Sequence, residues 1–207
     1  MTTASPTGTT RERVLYELGR HGGYIRDRDI RLAAVDPHIL GQLVADGTLE
    51  RVVRGLYRRA DAHSAYVGLA DVNAAAPHAV ICLLSALEYY GLTTTIPPEV
   101  YVSIPRKARP PRLDYPPLNV IRYNERMYHY GITEQALPDG RATVRMYSRE
   151  KSIADALHFS NRIGRDIVVE VLREYLRRPH RDVDELLRAA DICRVYQRMT
   201  TYLEAIL

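Results

Sequence analysis

His38 and Gln42 stand four residues apart, so on a helix they share one face. An imidazole and a carboxamide so placed can hydrogen-bond to base edges, the carboxamide suiting adenine. Gly41 and Ala45 complete that face with side chains small enough for a close approach. Arg51, Arg54 and Arg58 follow, guanidinium forks suited to phosphates or, at the tip near Arg54, to a minor groove. Arg28 and Arg31 stand just ahead of the face, and Arg106, Lys107, Arg109 and Arg112 make a second cationic group on a proline-rich stretch. Together these are candidate contacts to double-stranded DNA. A helical hairpin with a solvated basic turn would carry the same residues without a ligand.

The elements that must position them lie between Asp27 and Arg59. Asp27 is the expected N-cap of a short helix over 28–34, with Ile30, Ala33 and Ala34 on one face. Asp36 is the expected cap of a second helix and Pro37 its first residue, where a missing N–H costs nothing. Ile39, Leu40, Leu43 and Val44 face inward, and Asp46-Gly47 ends the helix. Val52-Val53 and Leu56-Tyr57 then flank Arg54-Gly55 as a short hairpin. Helix, turn, helix and basic hairpin is the order of a winged helix-turn-helix, whose second helix enters the major groove while the hairpin lies along the phosphates. Ahead of it, Thr9-Thr10-Arg11-Glu12 reads as the capping box of a supporting helix with Val14, Leu15 and Leu18 inward. Gly22-Gly23 ends that helix, and Tyr24-Ile25 is a brief edge strand.

The expected domains are a disordered leader over 1–9, the winged helix-turn-helix over 10–60, a linker over 61–76 with a short helix near 64–71, and a C-terminal domain over 77–207. Pro77 is expected to open a helix over 77–90. Beyond Pro97-Pro98 the period becomes alternating, and Val100/Val102/Ile104, Leu118/Val120 and Ala142/Val144/Met146 predict three strands, with a weaker fourth at 128–132. Ser148 caps a helix of about 149–159, another runs roughly 166–178, and a third begins at Asp182 or Asp184. The fold class expected is α+β, with a small, mostly antiparallel sheet packed with helices after the winged helix-turn-helix. The run 105–117 between the first two strands is polyproline-like, a cationic arm for phosphates, for an acidic protein or simply for solvent.

Composition narrows the classes. Net charge is +4 over 207 residues, and residues 1–60 carry ten Arg against seven Asp and Glu, whereas the remainder is near balance. Fifteen tyrosines against one Phe and no Trp cluster largely between 89 and 147 beside Arg and His. Such rings serve to stack bases, to form a protein interface or to cover a sheet half-buried. Two cysteines, Cys82 and Cys193, in apolar patterns predict buried free thiols. Seven histidines have no ligand spacing, so neither a metal nor another cofactor is expected. Glu150-Lys151 lacks the intervening residue and the partner acid of a nuclease pattern, and Lys151 with Asp155 has the spacing of an ordinary helical ion pair. Without a phosphate-cradling glycine loop or a Gly-x-Ser-x-Gly turn, no enzyme is expected. No apolar run approaches a membrane span, and a reducing cytoplasm is the expected compartment.

Several pieces occur in a recognisable order: Gly22-Gly23-Tyr24-Ile25, Leu43-Val44-Ala45-Asp46-Gly47-Thr48-Leu49-Glu50-Arg51, Arg54-Gly55-Leu56-Tyr57, Pro77-His78-Ala79-Val80-Ile81-Cys82-Leu83-Leu84-Ser85-Ala86-Leu87, Gly91-Leu92, and Arg149-Glu150-Lys151-Ser152-Ile153-Ala154-Asp155. In these the chain, from residue 10 to 207, resembles the AbiEi family of antitoxins, the repressor halves of type IV toxin–antitoxin pairs. The resemblance implies a winged helix that binds inverted repeats in its own promoter, and a C-terminal domain that contributes to repression and antitoxicity. It also implies a nucleotidyltransferase-like toxin as functional partner, opposed without a stable complex. A module that holds a toxin or another protein on its tyrosine-rich sheet is the alternative.

Overall fold

The Thr9 hydroxyl accepts from the Glu12 N–H at 3.4 Å and the Glu12 carboxylate accepts from the Thr9 N–H at 2.8 Å, a capping box that starts α1 (Thr10–Arg20). The computed structural model describes residues 8–140 and 142–206, so the expected leader lies outside the described residues except for Gly8 and Thr9. The chain divides into two units.

The first unit runs through Ala76 and takes in Arg112–Pro116 and Ala136–Thr143. After α1 come β1 (Tyr24–Arg26), α2 (Asp27–Leu32), α3 (His38–Ala45), β2 (Leu49–Val53), β3 (Leu56–Arg59) and α4 (Val67–Ala75). The strands order β1-β3-β2, antiparallel throughout, with Ile25 and Arg51 both opposite Tyr57. Gly55 turns β2 into β3 at φ 76°, a value that costs glycine little. Val14, Leu18, Ile25, Ile30, Leu40, Leu43 and Leu49 are buried together, so α1 supplies the third wall that α2 and α3 need.

Three expectations shift here. Asp27 lies inside α2 because the Arg26 N–H is taken by Asp29 at 2.9 Å while the Asp27 N–H is held by the Gly55 carbonyl at 3.2 Å. The helix stops at Leu32, and Ala34 turns left-handed at φ 53°, a conformation that costs an alanine on the order of 1 kcal/mol. Residues 61–76 are no linker, since α4 buries Leu69, Ala70, Asp71 and Val72 within this unit.

The second unit holds a five-stranded sheet ordered β6-β5-β4-β8-β7. Its strands are β4 (Val80–Ile81), β5 (Val100–Pro105), β6 (Leu118–Tyr123), β7 (Ile132–Ala136) and β8 (Thr143–Tyr147). The helices are α5 (Leu83–Tyr89), α6 (Glu125–His129), α7 (Arg149–His158), α8 (Ser160–Ile163), α9 (Arg165–Arg177), α10 (Val183–Ile192) and α11 (Tyr196–Ile206). The fold is therefore α+β, but this sheet is mixed rather than mostly antiparallel. β4 pairs β5 antiparallel, whereas β5 pairs β6 and β4 pairs β8 in parallel. The proline-rich stretch between β5 and β6 is long enough to carry the chain back and start β6 in the same direction. The helix expected from Pro77 begins only at Leu83, because Val80 and Ile81 fill a central sheet position opposite Ser103 and Val102. The weak strand expected at 128–132 falls on the last two residues of α6 and the turn after it, and the strand, β7, begins only at Ile132.

α7 is the centre of the second core, buried from Glu150 to Leu157. Lys151 and Asp155 are wholly buried, with Nζ 2.5 and 2.6 Å from the two carboxylate oxygens. The ammonium also sits 4.7 Å from the Tyr123 ring centroid and 4.4 Å from that of Tyr147, and the Cys193 thiol donates to Asp155 at 3.2 Å. Tyr123, Tyr128 and Tyr147 are 1, 5 and 0% exposed, so these tyrosines are core and leave the sheet no aromatic platform there.

Candidate nucleic-acid interface

α3 is amphipathic in the simplest way. Leu40 and Leu43 are 1% exposed, while His38, Gly41, Gln42 and Ala45 all face solvent. Asp36 accepts from the His38 N–H at 2.9 Å, satisfying a donor of the first turn from just outside the helix, with Pro37 in the cap position. A Cβ built on Gly41 would meet nothing within 4 Å, so the protein's own packing does not require a glycine there.

Both ends of α3 are fastened to α1. Arg13 donates to the Ala33 carbonyl at 2.5 Å, pinning the turn that contains the left-handed Ala34. Arg11 donates to Asp46 at 2.8 Å and to the Thr48 hydroxyl at 2.7 Å, just beyond the helix. Hydrogen bonds from the Thr48 hydroxyl and N–H, with Arg11 beside them, hold the Asp46 carboxyl below its ordinary value. These clamps span sequence separations of 20 and 35 residues, which is why no local pattern announces them.

The candidate cations separate into distinct environments. Arg51 on β2 and Arg54 at the hairpin tip are exposed, and among the described residues their side chains make no ion pair or hydrogen bond. The Arg31 side chain is likewise exposed and has no partner among the described residues, and Arg28, 76% exposed, lies 3.4 Å from Asp29. Arg58, expected as a phosphate contact, is engaged within the protein. Its side chain is only 15% exposed, with Nε 3.2 Å from Asp71 of α4 and the Glu50 carboxylate on its other edge. Tyr24 donates to the same Asp71 at 2.7 Å. Burial pushes the Asp71 carboxyl up and, with Asp71 alongside, pushes the Tyr24 hydroxyl well above the usual phenol range. Arg58 is thus spent inside the first unit, tying β3 to α4.

Arg106, Lys107 and Arg109 belong to the second unit, and all are exposed. The arm that bears them is less free than its composition implies. Arg122 donates to the carbonyls of Arg106 and Ala108 at 2.7 and 2.9 Å, and the Ala108 N–H closes a turn on Pro105 at 3.0 Å. Arg112 is exposed and falls in the first unit.

Among the described residues no group of His, Cys, Asp or Glu is arranged to hold a metal ion, and no helix is long and apolar enough to cross a membrane. Residues 12–60, which span α1 to β3, match the family described as "Transcriptional regulator, AbiEi antitoxin". That description names a regulator and not an enzyme class. The chain is similar in fold to the crystal structure of the RV2827C protein from Mycobacterium tuberculosis, with a TM-score of 0.57 and 16% identity over 97% of this chain and 83% of that one. No curated protein matches the chain.

Proposed function

We propose, from the AbiEi antitoxin match over residues 12–60, that the first unit is a winged helix-turn-helix and that the protein is a DNA-binding autorepressor and antitoxin of a type IV toxin–antitoxin system. One observation carries the reading. The face of α3 bearing His38, Gly41, Gln42 and Ala45 is exposed and unfilled, while its opposite face is core. In this proposal α3 enters the major groove, His38 and Gln42 read base edges, and the small residues between them let the backbone come close. Arg51 and Arg54 of the hairpin contact phosphates, with Arg28 and Arg31 on α2. Arg58 supports the hairpin and touches no DNA. The operator would be inverted repeats upstream of its own gene, and the opposed toxin a nucleotidyltransferase-like protein that is not held in a stable complex.

The test is a mobility shift on the upstream duplex across a salt series. Arg54→Ala should weaken binding to all sequences alike and reduce the salt slope by about one charge. Gln42→Ala should cost about 1–3 kcal/mol on the operator and far less on random DNA. If neither substitution moves binding to the upstream DNA, α3 and the hairpin are not the interface.

A further inference from the structure

The second unit carries a cationic turn that the α3 reading does not use. The Ala108 N–H donates to the Pro105 carbonyl at 3.0 Å, so Arg106 and Lys107 occupy the two corner positions of a turn at the end of β5, and Arg109 follows it. Arg122, opposite Ile104 on the neighbouring strand β6, donates to the carbonyls of Arg106 and Ala108 at 2.7 and 2.9 Å. These acceptors are neutral, so Arg122 holds the turn and keeps its own charge. They are also the two carbonyl dipoles that would otherwise repel an anion, now directed at Arg122. Pro105, Pro110 and Pro111 fix the backbone on either side. A ligand that binds here meets cations on a backbone already ordered, which lowers the entropic cost of binding.

The charge balance is one-sided. Residues 100–111 and 117–124 contain three Arg, one Lys and no Asp or Glu. Arg106, Lys107 and Arg109 are exposed, and among the described residues their side chains have no hydrogen-bond or ion-pair partner. Within this unit the acids next along the chain lie away or are engaged. Glu99 accepts from Asn119 at 2.9 Å at the far end of the β5/β6 pair, more than about 20 Å along the strand from the turn. Glu125 bonds to His129 at 3.2 Å.

The residue types select the occupant. Residues 105–111 present no aromatic ring on which bases of a single strand would stack. They present no apolar side chain larger than proline to anchor a peptide or enter a bilayer, and no carboxylate to accept from peptide N–H groups. Fixed arginines and a lysine alone match a phosphodiester backbone, which is contacted through charge without reading bases. We infer that this turn is a binding site for the backbone of a nucleic-acid duplex, indifferent to base sequence. It uses none of the residues of α3 or the hairpin, so it stands or falls apart from their assignment.

The experiment is fluorescence anisotropy on the full chain across a salt series, with a labelled DNA duplex of random sequence and about 20 base pairs, and an RNA duplex of the same sequence. Arg106→Gln with Lys107→Gln and Arg109→Gln should weaken duplex binding at least about tenfold and lower the salt slope by about two to three. Arg165→Gln with Arg173→Gln and Arg177→Gln, the same change in net charge on α9, should leave affinity within about twofold. All six side chains are exposed, and an unchanged urea midpoint confirms that each variant is folded. A loss on the DNA duplex, the RNA duplex or both supports the site and identifies the source of its phosphates. Equal losses in the two triple variants would reduce the effect to net charge and overturn the site. So would a loss confined to a polyglutamate peptide or to phosphatidylserine vesicles. Arg51→Ala with Arg54→Ala, measured in parallel, separates the two assignments: if only the hairpin variant loses binding, the turn is no site and the α3 reading is untouched, and if only the turn variant does, the reverse holds.

Discussion

α3 and α7 each carry a polar pair four residues apart, His38/Gln42 on one and Lys151/Asp155 on the other, and the two pairs do opposite things. On α7 both members are 0% exposed, closed against each other and caged by Tyr123, Tyr147 and Cys193. On α3 both members are exposed, and only the apolar face between them and the core is covered. Spacing puts two side chains on one face, but what packs over that face decides whether they hold the fold or are left for a ligand. α7 is covered on all sides by sheet and helices, so its polar pair had to be satisfied internally. α3 is covered on one side only.

The comparison breaks most easily at α7. Asp155→Ala leaves the Lys151 ammonium buried without its counter-charge and should cost about 3–5 kcal/mol, seen as a lower midpoint in urea. Lys151→Met with Asp155→Leu removes both charges and should cost much less than the sum of the single changes. By contrast His38→Ala and Gln42→Ala should leave the midpoint within about 0.5 kcal/mol, as surface changes usually do. A large loss at either α3 position would mean that the face is structural and the contrast false.

A sharper version lies within the hairpin. Arg54→Ala should not alter stability, whereas Arg58→Ala strands Asp71 beside Glu50 and should cost about 1–3 kcal/mol. The same network has a signature in alkali. The Tyr24 hydroxyl titrates higher when folded than when unfolded, so its contribution is fully present below about pH 10 and is lost as pH rises toward its folded value. Tyr24→Phe should therefore reduce the alkaline loss of stability, measured as the urea midpoint at pH 8 and at pH 10.5. An unchanged difference would show that the hydroxyl and Asp71 are not coupled.

What could be read from the chain was what depends on near neighbours. The capping box at Thr9, the stop at Gly47, the turn at Gly55, the cap at Ser148 and the inward face of α3 are all set within a few residues. The errors fall where a distant element decides. Val80 and Ile81 have the run of a helix but are drawn into a strand by β5 and β8, which lie some 20 and 65 residues further along the chain. Residues 67–75 show no amphipathic period because α4 is buried on more than one side, and Asp71, which makes it look polar, is the partner of Arg58 and Tyr24. The tyrosines between 123 and 147 read as surface cover for the same reason. The partners of their hydroxyls are distant in sequence, Ser103 of β5 for Tyr147, the His78 carbonyl for Tyr128 and Glu185 of α10 for Tyr130, and the local sequence does not reveal them. At the candidate interface, the exposed arginines could be found by type alone, but only the fold separates Arg58 from Arg51 and Arg54.

Gly41 gives the smallest and most discriminating effect, because its two consequences have opposite signs. Glycine within an exposed helix is less favourable than leucine by about 0.5–1 kcal/mol, and a Cβ at this exposed position would meet nothing within 4 Å. Gly41→Leu should therefore raise the urea midpoint modestly. If α3 seats in a groove, the added isobutyl group must collide with base edges or phosphates at the point of closest approach, so affinity for the upstream duplex should fall while the fold improves. Stability and binding measured on the same preparation make the two outcomes separable. A protein that gains stability and keeps its DNA affinity would show that α3 does not come close to DNA through this face, whatever the exposure of His38 and Gln42.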